Sequence, residues 1–500
     1  MKKKPSIILG KAGFASLALV LLSAETLIFA QSAPMPRLEP DPKALEYFHL
    51  KREGYSWTDL AEISLWASGD SKASNLKKIR DLAAALKDSP ALPPSGEERA
   101  EYILAFMHKN LLKAYSLAQT RIDTMLSNGR FNCVSSAVLY VILCESAGVK
   151  TSGVMTKDHA FATAHIGAVD IDVETTNPYG FDPGNRKEFH DHFGKLTGFA
   201  YVPARNYRDR QTINKIELIS LIMDNRMADL ESRNLFAEAV PVAVDRFALL
   251  NGDAQAAGEK EDFTGHLFTD PRKDFLDRLL NYGAFLLKAG REEDCLRWAA
   301  AASARYPESR WQEMILAAAN NRVMKYVKAN QLTEAKNFLN NQKAFLQEAD
   351  YKQLDNLILE TELLAAANRI RVASDGDAVI SAVNQALGNS RINENRAAEI
   401  RTFAVNKTAA ALCTAPARDW RAAIRYIENA ISRFGADREL EQALRVYRGN
   451  LAANYHNRFA DAWNKKNFNE AERVLNEGLL EIPDDRRLLS DKETFNKNGR

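Results

Sequence analysis

One change in the spacing of the apolar residues limits the possible folds of this chain more than any other pattern. Residues 132–148 follow helical spacing, with Asn132 as a candidate N-cap. Residues 159–176 then alternate apolar and polar side chains, as strands do, on either side of Gly167 and Ala168, which can form a two-residue hairpin turn. The sequence therefore predicts a helix followed by a β-hairpin in an otherwise helical chain, an α+β fold.

Helical spacing dominates on both sides of this stretch. Residues 44–126 are predicted to be helical, with a proline-rich break at 89–96. Residues 216–500 are also predicted to be helical, with a linker at 251–262. The composition agrees with a globular chain, since 46% of the 500 residues are apolar and 26% are charged. This length is enough for about two to four domains.

Several segments of the C-terminal part look like helix–turn–helix units. A small residue follows a turn residue by five positions at Cys295, Ala335 and Ala471. Pro307 follows Cys295, and Pro483 follows Ala471, at one and the same spacing. These placements resemble the tetratricopeptide repeat, in which a small residue opens the second helix and a proline closes it.

The spacing of these small residues fits the repeat only in part. The tetratricopeptide repeat is about 34 residues long. The interval from Ala335 to Ala471 is four such repeats, but the interval from Cys295 to Ala335 is longer than one. The interpretation is a degenerate helical-repeat region, and an irregular helical bundle is the alternative.

The N-terminal segment, residues 1–30, has the three-part layout of a secretory signal peptide. A lysine-rich start is followed by an apolar stretch over residues 12–30 and by small residues before Pro34. A retained membrane anchor is the alternative, although the charge of Glu25 is costly at that depth. We expect an exported protein of the bacterial periplasm or cell envelope, or a secreted one, with a linker at residues 31–44. Membrane attachment is expected only if the first segment is retained.

The charge balance argues against a nucleic-acid partner. The chain has 67 basic and 65 acidic residues, but four of the lysines and one glutamate belong to the N-terminal segment 1–30. The remaining 63 basic and 64 acidic residues give a net charge of −1, and no basic block stands out. Such a chain lacks the cationic excess that binding to a phosphate backbone requires.

The four cysteines are too few to staple 500 residues together. Cys133 and Cys144 fall in one predicted helix, where their spacing places them about 16 Å apart. A disulfide needs about 4.4–6.8 Å between Cα atoms, so these two residues cannot pair. Cys144, Cys295 and Cys413 follow helical patterns and are expected to be core thiols.

Cys133 and His159 form a candidate nucleophile and base. Free backbone N–H groups and the helix dipole at a helix start favour a thiolate, the form in which cysteine attacks. An imidazole can pair with that thiolate and later donate a proton, and a further acceptor must orient the imidazole. His159 opens the first predicted strand after the helix that begins at Cys133. A small buried cysteine without chemistry is the alternative for Cys133.

The hairpin register predicts which acid lies near His159. Opposite residues have numbers that sum to 335, and the polar side chains share one face of the hairpin. On that face Glu174 is the diagonal neighbour of His159, about 7–8 Å away between backbones. Asp172 is one step further and is the alternative acid. His165 faces Asp170 and is expected to form a surface pair rather than to act as a second base.

Four motifs resemble the transglutaminase-like superfamily of papain-type thiol enzymes, above all its bacterial exported branch. They are Phe131-Asn-Cys-Val-Ser-Ser-Ala-Val-Leu-Tyr140, Ser146-Ala-Gly-Val149, His159-Ala-Phe161 and Val173-Glu-Thr-Thr-Asn177. The resemblance covers about residues 100–200. It implies that Cys133 is the nucleophile, His159 the base, and Glu174 the acid, in the place usually held by aspartate. It also implies acyl transfer through a thioester, as in peptide cleavage, amide hydrolysis or the cross-linking of glutamine to amines.

The leading hypothesis is an exported protein of two parts. A transglutaminase-like domain at residues 45–210 acts on a protein or peptide, and the helical repeats at residues 216–500 present or recruit that substrate. A non-catalytic envelope scaffold and a cell-wall peptide amidase are the alternatives. No P-loop, Rossmann glycine pattern or HExxH motif is present, so no cofactor is expected.

Two further segments carry weaker signals for function. His190 and His192 are two residues apart and have no third ligand motif, so no metal site is predicted. The turn-rich segment at residues 177–184 follows the candidate acid. It either borders the site or only ends the sheet.

Overall fold

The α+β class with a long helical part is confirmed. The structure is a computed structural model that describes residues 34–50, 54–185, 209–253, 270–414 and 418–498, together with Phe189 and Lys195. Within these ranges the chain is mostly helical, with one small antiparallel sheet and one short parallel ladder. The predicted signal peptide, most of the linker predicted at 251–262 and the two histidines at positions 190 and 192 lie outside the described residues.

Among the described residues, six helices and two short strands come before the main sheet. The helices are α1 (Pro42–His49), α2 (Trp57–Ala67), α3 (Ala73–Lys87), α4 (Gly96–Asn110), α5 (Ile122–Asn128) and α6 (Cys133–Ser146). The strands are β1 (Ala114–Tyr115) and β2 (Arg130–Phe131), which pair in parallel. The break between α3 and α4 falls where it was predicted. The linker predicted at 31–44 ends too late, because α1 begins at Pro42 after its N-cap Asp41.

The prediction of continuous helix up to residue 126 is wrong between α4 and α5. The chain leaves α4 at Leu111, forms β1, and returns to pair with it after α5. Gly129 makes this return possible, because it ends α5 with a φ of 75° and the Leu111 carbonyl oxygen lies 2.6 Å from where a Cβ atom would stand. Pairing over two residues is too short to leave an alternating pattern in the sequence.

The main sheet is a four-stranded antiparallel sheet with the order β5-β4-β3-β6. Its strands are β3 (Lys150–Met155), β4 (Ala160–Ile166), β5 (Val169–Val173) and β6 (Gln211–Ile213). The predicted hairpin register is confirmed, since Thr163 pairs with Asp172, His165 with Asp170 and Ile166 with Val169. The ladder ends at Val173, so the two pairs predicted beyond it, His159 with Thr176 and Phe161 with Glu174, are not ladder pairs.

Helix α6 is the centre of the region that contains the sheet. All its residues except Glu145 are buried, as expected for a helix that is apolar on every side. It packs against α2, α4, β3 and β4 and against the helix that follows the sheet. The apolar face of the hairpin, which includes Ala162, Ala164 and Val173, lies in the same core. This packing leaves the opposite, polar face of the hairpin for other contacts.

The rest of the described chain is helical. The helices are α7 (Lys215–Ser232), α8 (Phe236–Asn251), α9 (Pro271–Lys288), α10 (Glu292–Arg305), α11 (Arg310–Lys328), α12 (Leu332–Asn341), α13 (Glu348–Asn368), α14 (Ala373–Gly388), α15 (Glu394–Leu412), α16 (Trp420–Phe434), α17 (Arg438–Asn464), α18 (Phe468–Glu481) and α19 (Arg486–Asn498). From α9 onward each helix packs against the next one, and the helices with odd numbers also pack against one another in series. No helix in the described ranges is both long and apolar enough to cross a bilayer.

Left-handed residues make the turns between several of these helices. Gly290, Asn330 and Lys466 have φ values of 71°, 56° and 57°, and each stands between two helices. The small residues predicted to lie five positions later, Cys295, Ala335 and Ala471, are fully buried. Small side chains there allow the second helix of each pair to approach the first. The core is continuous from Leu38 to Ile358, across the predicted domain boundary.

Candidate active site

Cys133 is the first residue of α6, as predicted. Asn132 caps the helix, because its Oδ1 accepts a hydrogen bond from the Ser135 N–H at 3.0 Å and its own N–H donates to Ser135 Oγ at 2.9 Å. This reciprocal capping box fixes the Cys133 side chain at the positive end of the helix dipole. The N–H of Cys133 belongs to the first turn, where a helix offers no acceptor of its own.

The parallel ladder brings Tyr115 to the same place. Tyr115 is the partner of Phe131, and the Ser116 N–H donates to the Phe131 carbonyl oxygen at 2.7 Å. Burial raises the pKa of Tyr115, and electrostatic interactions with Cys133 and Glu174 raise this pKa further. Tyr115 therefore keeps its proton at neutral pH and can donate a hydrogen bond.

His159 lies between Cys133 and Glu174. It immediately precedes β4, and its carbonyl oxygen accepts hydrogen bonds from the Thr156 N–H at 2.8 Å and from the Thr156 hydroxyl at 3.2 Å. Its Nε2 lies 2.6 Å from Glu174 Oε2, and its side chain also makes a hydrogen bond with Cys133. The structure thus brings the three predicted site residues into one contiguous set.

The Glu174 carboxylate is buried and fully engaged. Its side chain is only 3% exposed, and Oε1 accepts hydrogen bonds from the Thr176 hydroxyl at 2.7 Å and from the Thr176 N–H at 3.2 Å. Burial raises the pKa of Glu174, but the interaction with His159 and the Thr176 hydrogen bonds outweigh burial, so this pKa lies below its usual value. A charged carboxylate is therefore held against the imidazole.

The same pair sets the charge of His159. Burial lowers its pKa, but the Glu174 carboxylate and the hydrogen bonds to Cys133 and Glu174 outweigh burial and raise the pKa well above 6.5. The imidazole is therefore stabilised as a cation. A cationic imidazole beside a cysteine at a helix start is the arrangement that supports a thiolate–imidazolium pair.

A tight return of the chain holds Glu174 in place after the ladder ends. The Glu174 N–H donates to the Gly180 carbonyl oxygen at 2.7 Å, and the Asp182 N–H donates to the Asp172 carbonyl oxygen at 3.0 Å. A Cβ atom on Gly180 would stand 1.9 Å from the Glu174 carbonyl oxygen, so only glycine fits there. The segment at residues 177–184 thus ends the sheet and also supports the acid.

His108 and Ser136 hold Thr175, the residue after Glu174, by hydrogen bonds. His108, on α4, lies with its Nε2 at 3.0 Å from the Thr175 carbonyl oxygen. Burial lowers the pKa of His108 to about 4, so the ring is neutral near pH 7 and donates its Nε2 proton to that oxygen. The hydroxyl groups of Ser136 and Thr175 are 2.9 Å apart. Helices α4 and α6 therefore both anchor the segment that carries Glu174.

The structure places Asp172, the alternative acid, in contact with Arg210. Both Asp172 carboxylate oxygens accept hydrogen bonds from Arg210, at 2.5 Å from Nη1 and 2.5 Å from Nη2. The Thr163 hydroxyl donates to the same carboxylate at 3.2 Å. The ladder pairs Asp172 with Thr163, which lies further along the hairpin than His159. Arg210 contacts Asp172 from a position just before β6.

The remaining predicted residues have structural positions. His165 Nδ1 lies 2.6 Å from Asp170 Oδ1, which confirms the surface pair. Cys144 and Cys295 are buried core thiols, as predicted, and burial raises the pKa of Cys295 to about 12. The prediction for Cys413 is wrong, because this residue is only half-buried at the end of α15, and burial raises its pKa to about 11. All four cysteines are free thiols.

Sequence reasoning missed several contributors to the site. His108 and Tyr115 come from α4 and β1, whose packing against α6 and β2 leaves no local pattern in the sequence. Thr176 could have been found, because a hydroxyl two residues after a carboxylate can bond to it locally. Among the described residues, no group of three or more His, Cys, Asp or Glu side chains is placed to hold a metal ion.

No protein-family model matches the chain. No curated protein matches it significantly. The resemblance to the transglutaminase-like superfamily stays a prediction.

Proposed function

We propose that this chain is an exported cysteine enzyme of the transglutaminase-like type, which performs acyl transfer or amide-bond hydrolysis on a protein or peptide. One observation carries the proposal. Cys133 at the start of a buried helix contacts His159, whose Nε2 lies 2.6 Å from a buried carboxylate, Glu174. A nucleophile, a base and an orienting acid in contact are the minimum set for thiol catalysis.

The contacts support a two-step reaction. The Cys133 thiolate attacks the carbonyl carbon of the amide, a C–S bond forms, and the carbonyl π electrons move to oxygen. Because Nε2 is committed to Glu174, Nδ1 of His159 supplies the proton to the leaving amine as the C–N bond breaks. Water or a second amine then loses a proton to His159 and attacks the thioester. The C–S bond breaks, and the acid or new amide leaves with the thiolate restored.

Two donors near the thiol fit the charge that develops on the carbonyl oxygen. The Cys133 N–H has no acceptor within its own helix. The Tyr115 side chain interacts with both Cys133 and Glu174 and keeps its proton. Donors aimed at a developing oxyanion contribute about 3–4 kcal/mol each when they are in place beforehand. The backbone donor and the phenol are the two groups we assign to this task.

The C-terminal helices are proposed to be tetratricopeptide-like repeats that present or recruit the substrate. The series of odd-numbered helices from α9 to α19 supports this proposal, because one helix of each pair lies beside its counterpart in the next pair. The left-handed turns at Gly290, Asn330 and Lys466 and the buried small residues after them also fit this pattern. Repeats stacked in this way offer an extended surface to a protein chain.

Alkylation of the purified full-length chain tests the thiol. We expect iodoacetamide at pH 6–7 to label Cys133 faster than Cys413, whose pKa of about 11 leaves only about 10⁻⁴ of it as thiolate at pH 7. Peptide mapping by mass spectrometry measures both sites in one sample. C133A removes the fast labelling, and C413A leaves it unchanged.

A turnover assay then distinguishes acyl transfer, amide hydrolysis and a scaffold without catalysis. A glutamine-containing protein is incubated with a biotin-tagged primary amine, and both biotin incorporation and released ammonia are measured; purified peptidoglycan serves as a second substrate. Incorporation that C133A abolishes indicates transfer, and ammonia or new termini without incorporation indicate hydrolysis. If Cys133 labels no faster than Cys413 and no substrate is turned over, the catalytic proposal is lost and the envelope scaffold is favoured.

A further inference from the structure

We infer that Arg210, held by Asp172, is a positioning residue that fixes the imidazole of His159 through the ring of Phe161. The inference deepens the proposed function and rests on it, because orienting this ring matters only if His159 transfers protons. In this inference the Asp172 carboxylate holds Arg210, whereas the Glu174 carboxylate contacts His159 directly. The groups involved lie in one row on the polar face of the hairpin.

The row follows the direction of β4. His159, Phe161 and Thr163 are alternate residues, so their side chains share one face and are about 6–7 Å apart. The rings of His159 and Phe161 are stacked, with centroids 6.2 Å apart and planes inclined by 30°. The guanidinium carbon of Arg210 lies over the Phe161 ring at 5.3 Å from its centroid, and Arg210 Nη2 is 3.5 Å from the Thr163 hydroxyl. Arg210 therefore approaches Phe161 from the side away from His159.

Asp172 gives this arrangement its rigidity. Two parallel hydrogen bonds of 2.5 Å between Asp172 and Arg210 fix the plane of the guanidinium as well as its place. The two side chains are 20% and 28% exposed, so solvent competes little for them. A guanidinium that cannot rotate restrains the aromatic ring beneath it, and that ring restrains the imidazole. Proton transfer at Nδ1 depends on this orientation.

The pair also leaves the charge at His159 undisturbed. The described titratable groups that act on the imidazole are Cys133 on α6 and Glu174 after β5. Tyr115 on β1 and His108 on α4 interact electrostatically with Glu174. Arg210 alone would add a positive charge next to the Phe161 ring, on which the imidazole stacks, and would disfavour the imidazolium. Because Asp172 neutralises that charge, the row orients the ring without opposing its protonation.

Variants with opposite charge effects test the inference in the full chain. D172N removes the negative charge of Asp172, and R210M removes the positive charge of Arg210. We expect the NMR titration midpoint of His159 to fall by about 0.5–1 pH unit in D172N and to rise by a similar amount in R210M. In the double variant the midpoint returns to its wild-type value. In both R210M and the double variant, the rate of Cys133 acylation falls about tenfold with little change in KM.

D170N is the matched control, because Asp170 is an exposed acid opposite His165 on the same hairpin face. It leaves the midpoint and the rate unchanged. A lowered rate in R210M and in the double variant supports the inference, because the double variant has the wild-type midpoint and its loss of rate cannot come from a changed charge on the imidazole. A wild-type rate in R210M or in the double variant overturns it. R210K replaces R210M if the latter fails to fold, with the same expected loss of rate, since lysine lacks the planar fork.

The NMR measurement keeps this inference separate from the proposed function. If wild-type Cys133 is inert, the proposed function fails. The NMR chemical shifts and line widths of the His159 ring protons, compared between wild type and the double variant, still decide whether Arg210 fixes the imidazole, and unchanged values overturn the inference. If Cys133 is reactive and R210M has the wild-type rate and midpoint, only the inference about Arg210 fails.

Discussion

Replacing Glu174 by Gln removes one charge from the candidate site and nearly preserves the shape of the side chain. The wild-type carboxylate lies 2.6 Å from His159 Nε2 and is only 3% exposed. Its second oxygen is held by the Thr176 hydroxyl and N–H. The amide of the variant can still accept a hydrogen bond from the imidazole, so E174Q tests the charge rather than the packing.

The expected magnitude follows from the geometry. Charge centres about 4 Å apart attract each other by about 4 kcal/mol at an effective dielectric constant of about 20. Loss of that attraction destabilises the imidazolium that, in the proposed reaction, persists while the thiolate attacks. Since about 1.4 kcal/mol corresponds to a tenfold change in rate, we expect kcat/KM and the alkylation rate of Cys133 to fall by about 10³.

The variant also changes stability in a defined pH range. The pKa of Glu174 is lowered from 4.5 and that of His159 is raised from 6.5 in the folded state. The pair therefore stabilises the fold fully between about pH 4.5 and 6.5. This stabilisation is lost as the pH falls through the folded pKa of Glu174 and as it rises through the folded pKa of His159. Urea unfolding should show the largest wild-type advantage, about 2–3 kcal/mol, inside that range.

Two controls bound the interpretation. D170N changes an exposed acid of the same hairpin and should leave rate and stability unchanged. E174D keeps the charge but shortens the side chain by one methylene, so it should lose part of the rate and little of the pH dependence. Glu174 is excluded as the acid if E174Q keeps its alkylation rate within about threefold of wild type while C133A abolishes labelling.

Two further predictions concern the supports of the site. G180A should lower the free energy of unfolding by about 2–3 kcal/mol and abolish turnover, because the added Cβ would stand 1.9 Å from the carbonyl oxygen of Glu174. G184A is the control and should be neutral, because a Cβ atom there meets nothing within 4 Å. Equal melting temperatures for the two variants would contradict the close approach at Gly180. His108 has a pKa lowered from 6.5 to about 4 by burial, so the unfolded chain binds the proton first and stability should fall by about 2–3 kcal/mol as the pH drops from 6.5 to 4. Urea unfolding of H108Q should show a shallower pH dependence over that range, and an unchanged slope would exclude His108 as its source.

The hairpin could be predicted in detail because its information is local. The turn at Gly167 and Ala168 and the alternation on both sides fix which residues pair, and the observed register agrees for every ladder pair from Ala162 to Ile166. The helix start was equally readable, since Asn132 caps the helix as predicted; the structure adds the reciprocal bond with Ser135. Local hydrogen bonds and a period of two need no knowledge of distant residues.

Two features of the site could not be read in this way. The partner of Asp172 is Arg210, which lies 38 positions beyond Asp172 in the chain. The short parallel ladder of Tyr115 with Phe131 joins segments on either side of α5 and carries no alternating pattern. Each depends on a contact between residues far apart in the chain, which local periodicity does not encode.

The sequence by itself determined the α+β class, the helix that begins at Cys133, the hairpin register and the proximity of Glu174 to His159. Tertiary structure alone decided that Asp172 is bound by Arg210 and that α4 supplies a neutral His108 behind the acid. It also decided how far the site is closed, with Cys133 only 7% exposed. The physical reason is that capping and alternation act over a few residues, whereas burial and the partner of a charge depend on which helices and strands pack together.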